Sequence, residues 1–174
     1  MKHTTLKICL AATISIFVLD GCTEPVPPQP ETAAPTIEWA SNPEFETIEI
    51  EEQMNVDIRI TAEAGIKEFV VSVDSHALSP SISLFTSDST SNMDLINDAK
   101  LIGMLTAFGI DLPAGDRLKD KTEVLFSLST LVPMIADVSG QKDHDTNHVF
   151  TLNMTDNENR TLSKSLTFHY SYAE

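Results

Sequence analysis

Met54-Asn55-Val56-Asp57-Ile58-Arg59-Ile60-Thr61 places an apolar side chain at every second position and a polar one between. Successive side chains of a strand point to opposite faces, so this run buries one face and wets the other. A helix would scatter the same residues around its circumference. The period of two continues outward in both directions. Upstream, Ile37 and Trp39 alternate with polar neighbours, as do Ile48 and Ile50 with Glu49 and Glu51. Downstream, Ala64-Gly65 turns the chain into a run where Phe69, Val71 and Val73 share a face, and Ile82 and Leu84 suggest a further strand among serines and Pro80. Val124, Phe126 and Leu128 form another run. His148, Phe150, Leu152 and Met154, then Leu162, Leu166, Phe168 and Tyr170, mark two final strands. Asp156-Asn157-Glu158-Asn159 joins them as a hairpin turn, built from Asn and Asp side chains that tolerate left-handed geometry.

Two stretches change period. Ser91 or Asn92 is placed to cap a helix through Leu95, Ile96, Ala99, Ile102, Leu105 and Phe108, ending near Gly109 and broken by Leu112-Pro113-Ala114-Gly115-Asp116. Ser129 to Val138 reads as a short helix with Pro133 in its first turn and Gly140 after its end. Seven or eight short strands separated by turns specify a mainly β chain folded as an antiparallel β-sandwich. An immunoglobulin-like sandwich takes about 100 residues, whereas Thr36 to Tyr172 is 137. The surplus falls between Asp88 and Lys121, which places a helical insertion near residues 91–112, over one open end of the sandwich.

The N-terminus carries an address. Lys2, His3 and Lys7 precede the apolar run Ile8 to Leu19, twelve residues long. That length suits a signal peptide and is too short to span a bilayer. Leu19-Asp20-Gly21-Cys22 resembles a lipobox, with the unusual feature of an acidic residue two places before the cut. Cys22 is therefore the expected site of diacylation, which would give membrane attachment through an N-terminal lipid, palmitate included. The only other thiol, Cys9, lies inside the signal, so no partner is left for a disulfide. Residues 22–35 hold Pro25, Pro27, Pro28, Pro30 and Pro35 and read as a spacer reaching about 40 Å at ~3.1 Å per residue. The domain follows over residues 36–172.

Loss of residues 1–21 removes Lys2, Lys7 and Asp20 from the 11 basic and 26 acidic residues, leaving 9 against 25 and a formal charge of −16. Such a surface excludes the phosphate neutralisation that nucleic-acid binding needs, and it disfavours anionic lipid. Chemistry is poorly provided for. With no thiol besides Cys22 in the mature chain, thiol catalysis and thiolate zinc sites are excluded, and His76, His144, His148 and His169 lack metal-ligand spacing of the HExxH kind. Asp143-His144-Asp145 with His148 is the densest cluster and reads as a polar loop, as Glu51-Glu52 reads as solvent-facing charge. His148 and His169 read as structural histidines within strands. Asp156 to Asn159 offers oxygen ligands without EF-hand spacing, so the hairpin turn explains it better than calcium does. No catalytic residue, cofactor or metal is expected. With one Trp and two Tyr, sugar-stacking faces are scarce. Trp39, Phe108 and Tyr170 are the candidate binding surface, although Trp39, in the first strand with Ile37, is better placed to pack in the core.

Several segments are familiar together: Val73-Asp74-Ser75-His76-Ala77-Leu78, Met93-Asp94-Leu95-Ile96-Asn97-Asp98, Leu112-Pro113-Ala114-Gly115-Asp116, Leu131-Val132-Pro133-Met134-Ile135, and His148 to Leu152 through Thr155-Asp156-Asn157 to Thr161-Leu162 and Leu166-Thr167-Phe168. They resemble an uncharacterised family of immunoglobulin-like lipoproteins of gut Bacteroidales, over nearly the whole mature chain. Glu158-Asn159 departs from the family's glycine-containing turn. The resemblance implies an outer-membrane lipoprotein, often exposed at the cell surface, and no assigned catalytic residues. Asp88-Ser89-Thr90 matches the short pattern on which such bacteria O-glycosylate exported proteins, making Ser89 the candidate acceptor. The expected function is a non-enzymatic, lipid-anchored module that binds extracellular protein or glycan; the alternative is a periplasm-facing structural or assembly subunit of an outer-membrane complex.

Overall fold

The computed structural model describes residues 32–41, 47–50, 54–141 and 146–172. Cys22, the signal residues, Glu51-Glu52 and Asp143-His144-Asp145 lie outside these residues.

Eight strands and three α-helices follow in the order β1 (Thr36–Trp39), β2 (Thr47–Glu49), β3 (Asp57–Thr61), β4 (Ile66–Asp74), α1 (Ser79–Phe85), β5 (Asn92–Asp94), α2 (Ala99–Ala107), β6 (Glu123–Ser127), α3 (Val132–Gly140), β7 (Thr146–Asp156) and β8 (Thr161–Tyr170). One sheet has the order β1-β3-β6, the other β2-β8-β7-β4-β5. The chain is thus mainly β, as the alternation implies. The expectation of purely antiparallel pairing needs correction, because β2 runs parallel to β8 with Ile48 opposite Phe168. The polypeptide pairs first with β3 in one sheet and then, eight residues on, with β8 in the other.

The inward faces follow the sequence pattern. Ile58 and Ile60 of β3, Phe69, Val71 and Val73 of β4, Phe126 of β6, Phe150, Leu152 and Met154 of β7, and Leu166 and Phe168 of β8 all belong to one buried cluster. Phe69 of the five-stranded sheet meets Phe126 of the three-stranded sheet edge to face, ring centroids 5.2 Å apart, and Phe150 meets Phe168 in the same manner at 5.4 Å. These are the offset geometries that the ring quadrupole favours.

Three local expectations change. Ile82 and Leu84 stand in helix α1, not in a strand. Pro80 lies in its first turn, where a missing N–H costs nothing, and the operative spacing is Leu78, Ile82, Phe85, which packs against the core while Leu84 is 71% exposed. The second helix starts at Ala99 rather than beside Asn92. Residues Asn92–Asp94 add an edge strand, with buried Met93 opposite Val71. The Asp94 carboxylate then accepts the N–H groups of Ile96 and Asn97, turning the chain, and Asp98 caps α2 through the N–H of Leu101 at 3.0 Å. Finally, helix comes from three places in the chain, α1 adding to the two helical stretches expected. The short helix read over 129–138 is present as α3, moved a few residues onward so that Gly140 falls inside it.

The hairpin turn after β7 is as expected, with Asn159 left-handed at φ 62°. It also receives the end of the proline-rich spacer. The Thr32 hydroxyl donates to Glu158 and its carbonyl accepts from Arg160, while the Ala33 N–H donates to Glu63. Ordered structure therefore begins before residue 36. No helix among the described residues is long and apolar enough to cross a membrane.

Phe126→Ala, which empties the contact between sheets, is expected to lower stability by about 3–5 kcal/mol in urea denaturation. Leu125→Ala, one residue away on the outer face and 55% exposed, should stay within about 0.5 kcal/mol of the parent.

Candidate functional site

Helices α1, α2 and α3 gather against β5 and β7 and enclose an apolar pocket of about 260 Å³. Leu101 and Leu105 enter from α2, Ile135 from α3, Met93 from β5 and Phe150 from β7; Phe85 and Met134 stand nearer the opening. Among the described residues, Ser81 is the only one lining it with a polar side chain. The surface at its mouth is apolar too, since Met134 of α3 is 47% exposed and Phe108, the C-cap of α2, is 62% exposed with its ring against Phe85. Concave apolar sites of this kind are where small ligands or apolar side chains bind.

Behind the pocket lies a buried polar cluster. His148, at the start of β7, is fully buried, and so is Ser139 of α3. The Ser139 hydroxyl donates to the Ile135 carbonyl at 2.6 Å, which commits its proton and leaves its oxygen to accept from His148 Nε2 at 2.7 Å. The Thr146 hydroxyl is 3.1 Å from the same nitrogen. On the other side, the Ser75 hydroxyl accepts the N–H of Leu78 and lies 2.7 Å from His148 Nδ1, to which it donates. The ring is thus neutral with its proton on Nε2. Burial pushes its pKa below the ordinary histidine value. One imidazole links the turn that leads into α1, a helix on the far side of the pocket, and the strand that carries Phe150 to its floor.

A serine hydroxyl donating to histidine is also how a nucleophile and its base are arranged. Here the hydroxyl is buried and accepts a backbone N–H as well, which suits a structural link. Beside it, Asp74, Ser75, His76, Ser79, Pro80, Ser83 and Ser91 line an open polar depression. The Ser79 hydroxyl donates to the Val73 carbonyl and accepts from the Ser75 N–H, and the Ser83 hydroxyl donates to the Pro80 carbonyl. Among the described residues no group of three or more His, Cys, Asp or Glu is placed to hold a metal ion.

Of the carboxylates singled out from the sequence, Asp156 is consumed by its turn. Asp156, buried at the end of β7, accepts from the N–H groups of Glu158 and Arg160 and from Arg160 Nε at 2.7 Å. Burial raises its pKa, but these hydrogen bonds and the Arg160 charge outweigh that effect and hold it below the usual carboxylate value. Burial likewise pushes Asp98 up, and hydrogen bonds from Ser87, Leu101 and Lys100 pull it below normal.

The residues singled out from sequence separate. Trp39 is half-buried against the core, opposite Ile58. Tyr170 ends β8 half-buried, its hydroxyl beside Gly140, where a Cβ would come within 3.2 Å. Phe108 is exposed, and its ring lies 5.6 Å from that of Phe85, one of the pocket residues. Phe108 alone of the three adjoins the pocket. Ser89 is exposed at φ 58°, in a turn closed by Thr90 donating through both its N–H and its hydroxyl to Asp88. The pocket itself escapes sequence reading because its walls converge from five elements, one of which alternates like a strand.

Because His148 titrates below the unfolded-state value of 6.5, the unfolded chain takes up a proton that the native one refuses as pH falls. Its contribution to stability is whole above pH 6.5 and is lost as pH drops through the native pKa. Urea midpoints measured from pH 8 to pH 5 should therefore fall more steeply for the parent than for His148→Gln; parallel curves would refute the assignment.

No protein-family model matches the chain, and comparison with curated proteins likewise gives no match.

Proposed function

We propose that this chain is a lipid-anchored module of the cell envelope, non-enzymatic, whose immunoglobulin-like sandwich presents the helical end for contact with an extracellular partner. The observation that carries the contact reading is the apolar pocket together with the exposed Phe108 and Met134 beside it. Scattered apolar side chains are ordinary on a surface, but a group framing a pocket marks an interaction site.

Strand order supports the immunoglobulin-like reading. The β8-β7-β4 neighbours match the G-F-C ladder of such sandwiches, and β3 beside β6 matches B beside E. The first strand would then be shared between the sheets as β1 and β2. Phe69, on the strand matched to C, packs on Phe126 of the other sheet, and a strand-C aromatic buried between the sheets is a feature that such domains share. The anchor rests on the lipobox-like Leu19-Asp20-Gly21-Cys22, and attachment at the outer membrane, facing outward, is the location in which a contact module of this charge would meet partners. Consumption of the Ser75, Ser79, Ser83 and Ser139 hydroxyls in internal hydrogen bonds favours contact over catalysis. Ser89 is the proposed O-glycosylation acceptor, and the intact mass of the mature protein would reveal the added sugar.

Metabolic labelling with palmitate should mark the parent and leave Cys22→Ser unmarked and shifted out of the membrane fraction. Protease added to intact cells should degrade the parent. Protection would instead indicate an assembly subunit facing the periplasm, and absence of label would remove the anchor.

A further inference from the structure

The pocket has a chemistry that goes beyond a general contact role. Its floor, formed by Leu101, Leu105, Leu112, Ile135 and Phe150, is buried, and among the described residues the Ser81 hydroxyl is the one polar side-chain group in its wall. A sugar ring, a nucleotide or a stretch of peptide backbone entering it would leave polar groups without partners, a loss that apolar contact does not offset. Pockets for polar ligands carry a few placed hydrogen-bonding groups, and this wall lacks that set.

Charge narrows the occupant further. Within α1, α2 and α3, which are 7, 9 and 9 residues long, Lys100 and Asp137 are the charged side chains. They cancel, in a chain whose formal charge is −15. Lys100 moreover donates to the Thr86 carbonyl. The helices around the pocket are thus neutral on a strongly acidic protein, which fits an occupant whose exposed end is uncharged.

Size and shape complete the selection. An apolar cavity of about 150 Å³ accepts benzene, so the present volume, about 260 Å³, corresponds to roughly ten carbon atoms by the same proportion. A leucine or phenylalanine knob from a protein partner would leave much of it empty. A flexible hydrocarbon chain fills it, and Met93 and Met134 give walls that adjust to such a chain.

We propose that this pocket holds the hydrocarbon chain of a lipid with an uncharged head group, about ten carbons deep, with the head in solvent beside Met134 and Phe108. The idea depends on the proposed function only in treating the helical end as a binding site, and not on acylation of Cys22.

The test is calorimetric titration of the full chain carrying Cys22→Ser with n-alkyl maltosides of eight to fourteen carbons, each below its micelle concentration. Binding should saturate at one ligand per chain and tighten roughly fourfold per added methylene, levelling off near ten carbons, where the pocket is full. Leu105→Trp, which fills the floor, should weaken the decyl ligand at least tenfold. Since that variant strains the core, Met134→Asp supplies a second reading: at an exposed position it should weaken binding at least tenfold with an unchanged urea midpoint. Absence of saturable binding, affinity that climbs with chain length without levelling, or equal affinity in both folded variants would overturn the proposal. In that event an amphipathic protein segment becomes the better occupant. Failure of palmitate labelling would remove the anchor and leave this result standing.

Discussion

Strand β7 carries the constraint on which the rest depends. Its inward face reads His148, Phe150, Leu152, Met154, Asp156, and every one of these side chains is buried. The three in the middle belong to the core between the sheets. The two at the ends are polar, and burying a polar group without partners costs several kcal/mol. Each end is therefore stable only with its own network in place. Asp156 collects the turn, Arg160 and through it Thr32; His148 collects Ser75, Ser139 and Thr146. One strand thereby fixes how the chain approaches at one end and how the helices stand at the other.

This arrangement makes the pocket a derived feature of the fold. Helix α1 follows β4 after a four-residue turn, and the hydroxyl that binds His148 Nδ1 also accepts the N–H of Leu78, the N-cap of the helix. Helix α3 is held by Ser139 from the opposite side of the ring. Helix α2 is fixed separately, by Asp98 at its N-terminus and by the Ser87 groups that brace the same carboxylate. The walls thus stand independently of an occupant, and preorganisation of that kind lowers the entropic cost of binding.

The strands were legible because half-burial writes a period of two, and β3, β4, β6, β7 and β8 all have one wet and one dry face. The hairpin turn was legible from its Asn and Asp residues. Helix α1 was not, because Ser79-Pro80-Ser81-Ile82-Ser83-Leu84-Phe85 is too short to show a helical stripe, and Ile82 with Leu84 imitates alternation. Edge strand β5 was hidden for a related reason: Met93 is the inward residue of a three-residue strand and Leu95 is buried in the turn after it, yet with Ile96 and Ala99 they also satisfy three-and-four spacing. The polar cluster could be seen only as a lone histidine, since Ser75 and Ser139 stand 73 and 9 residues from His148 in the chain. Proximity of that sort is set by packing and leaves no local mark. Of the aromatic candidates, Phe108 fell beside the pocket because it ends α2, while Trp39 and Tyr170 were claimed by packing.

Two thioethers line the pocket, Met93 buried on the edge strand and Met134 half-exposed at the opening. Oxidation to the sulfoxide turns such a side chain from hydrocarbon-like into a strongly polar acceptor. At Met134, which solvent reaches first, that single oxygen would put a dipole into the lip of a cleft otherwise fit for grease. The outer methionine would then act as the oxidant-sensitive threshold of the cleft, with Met93 shielded behind it.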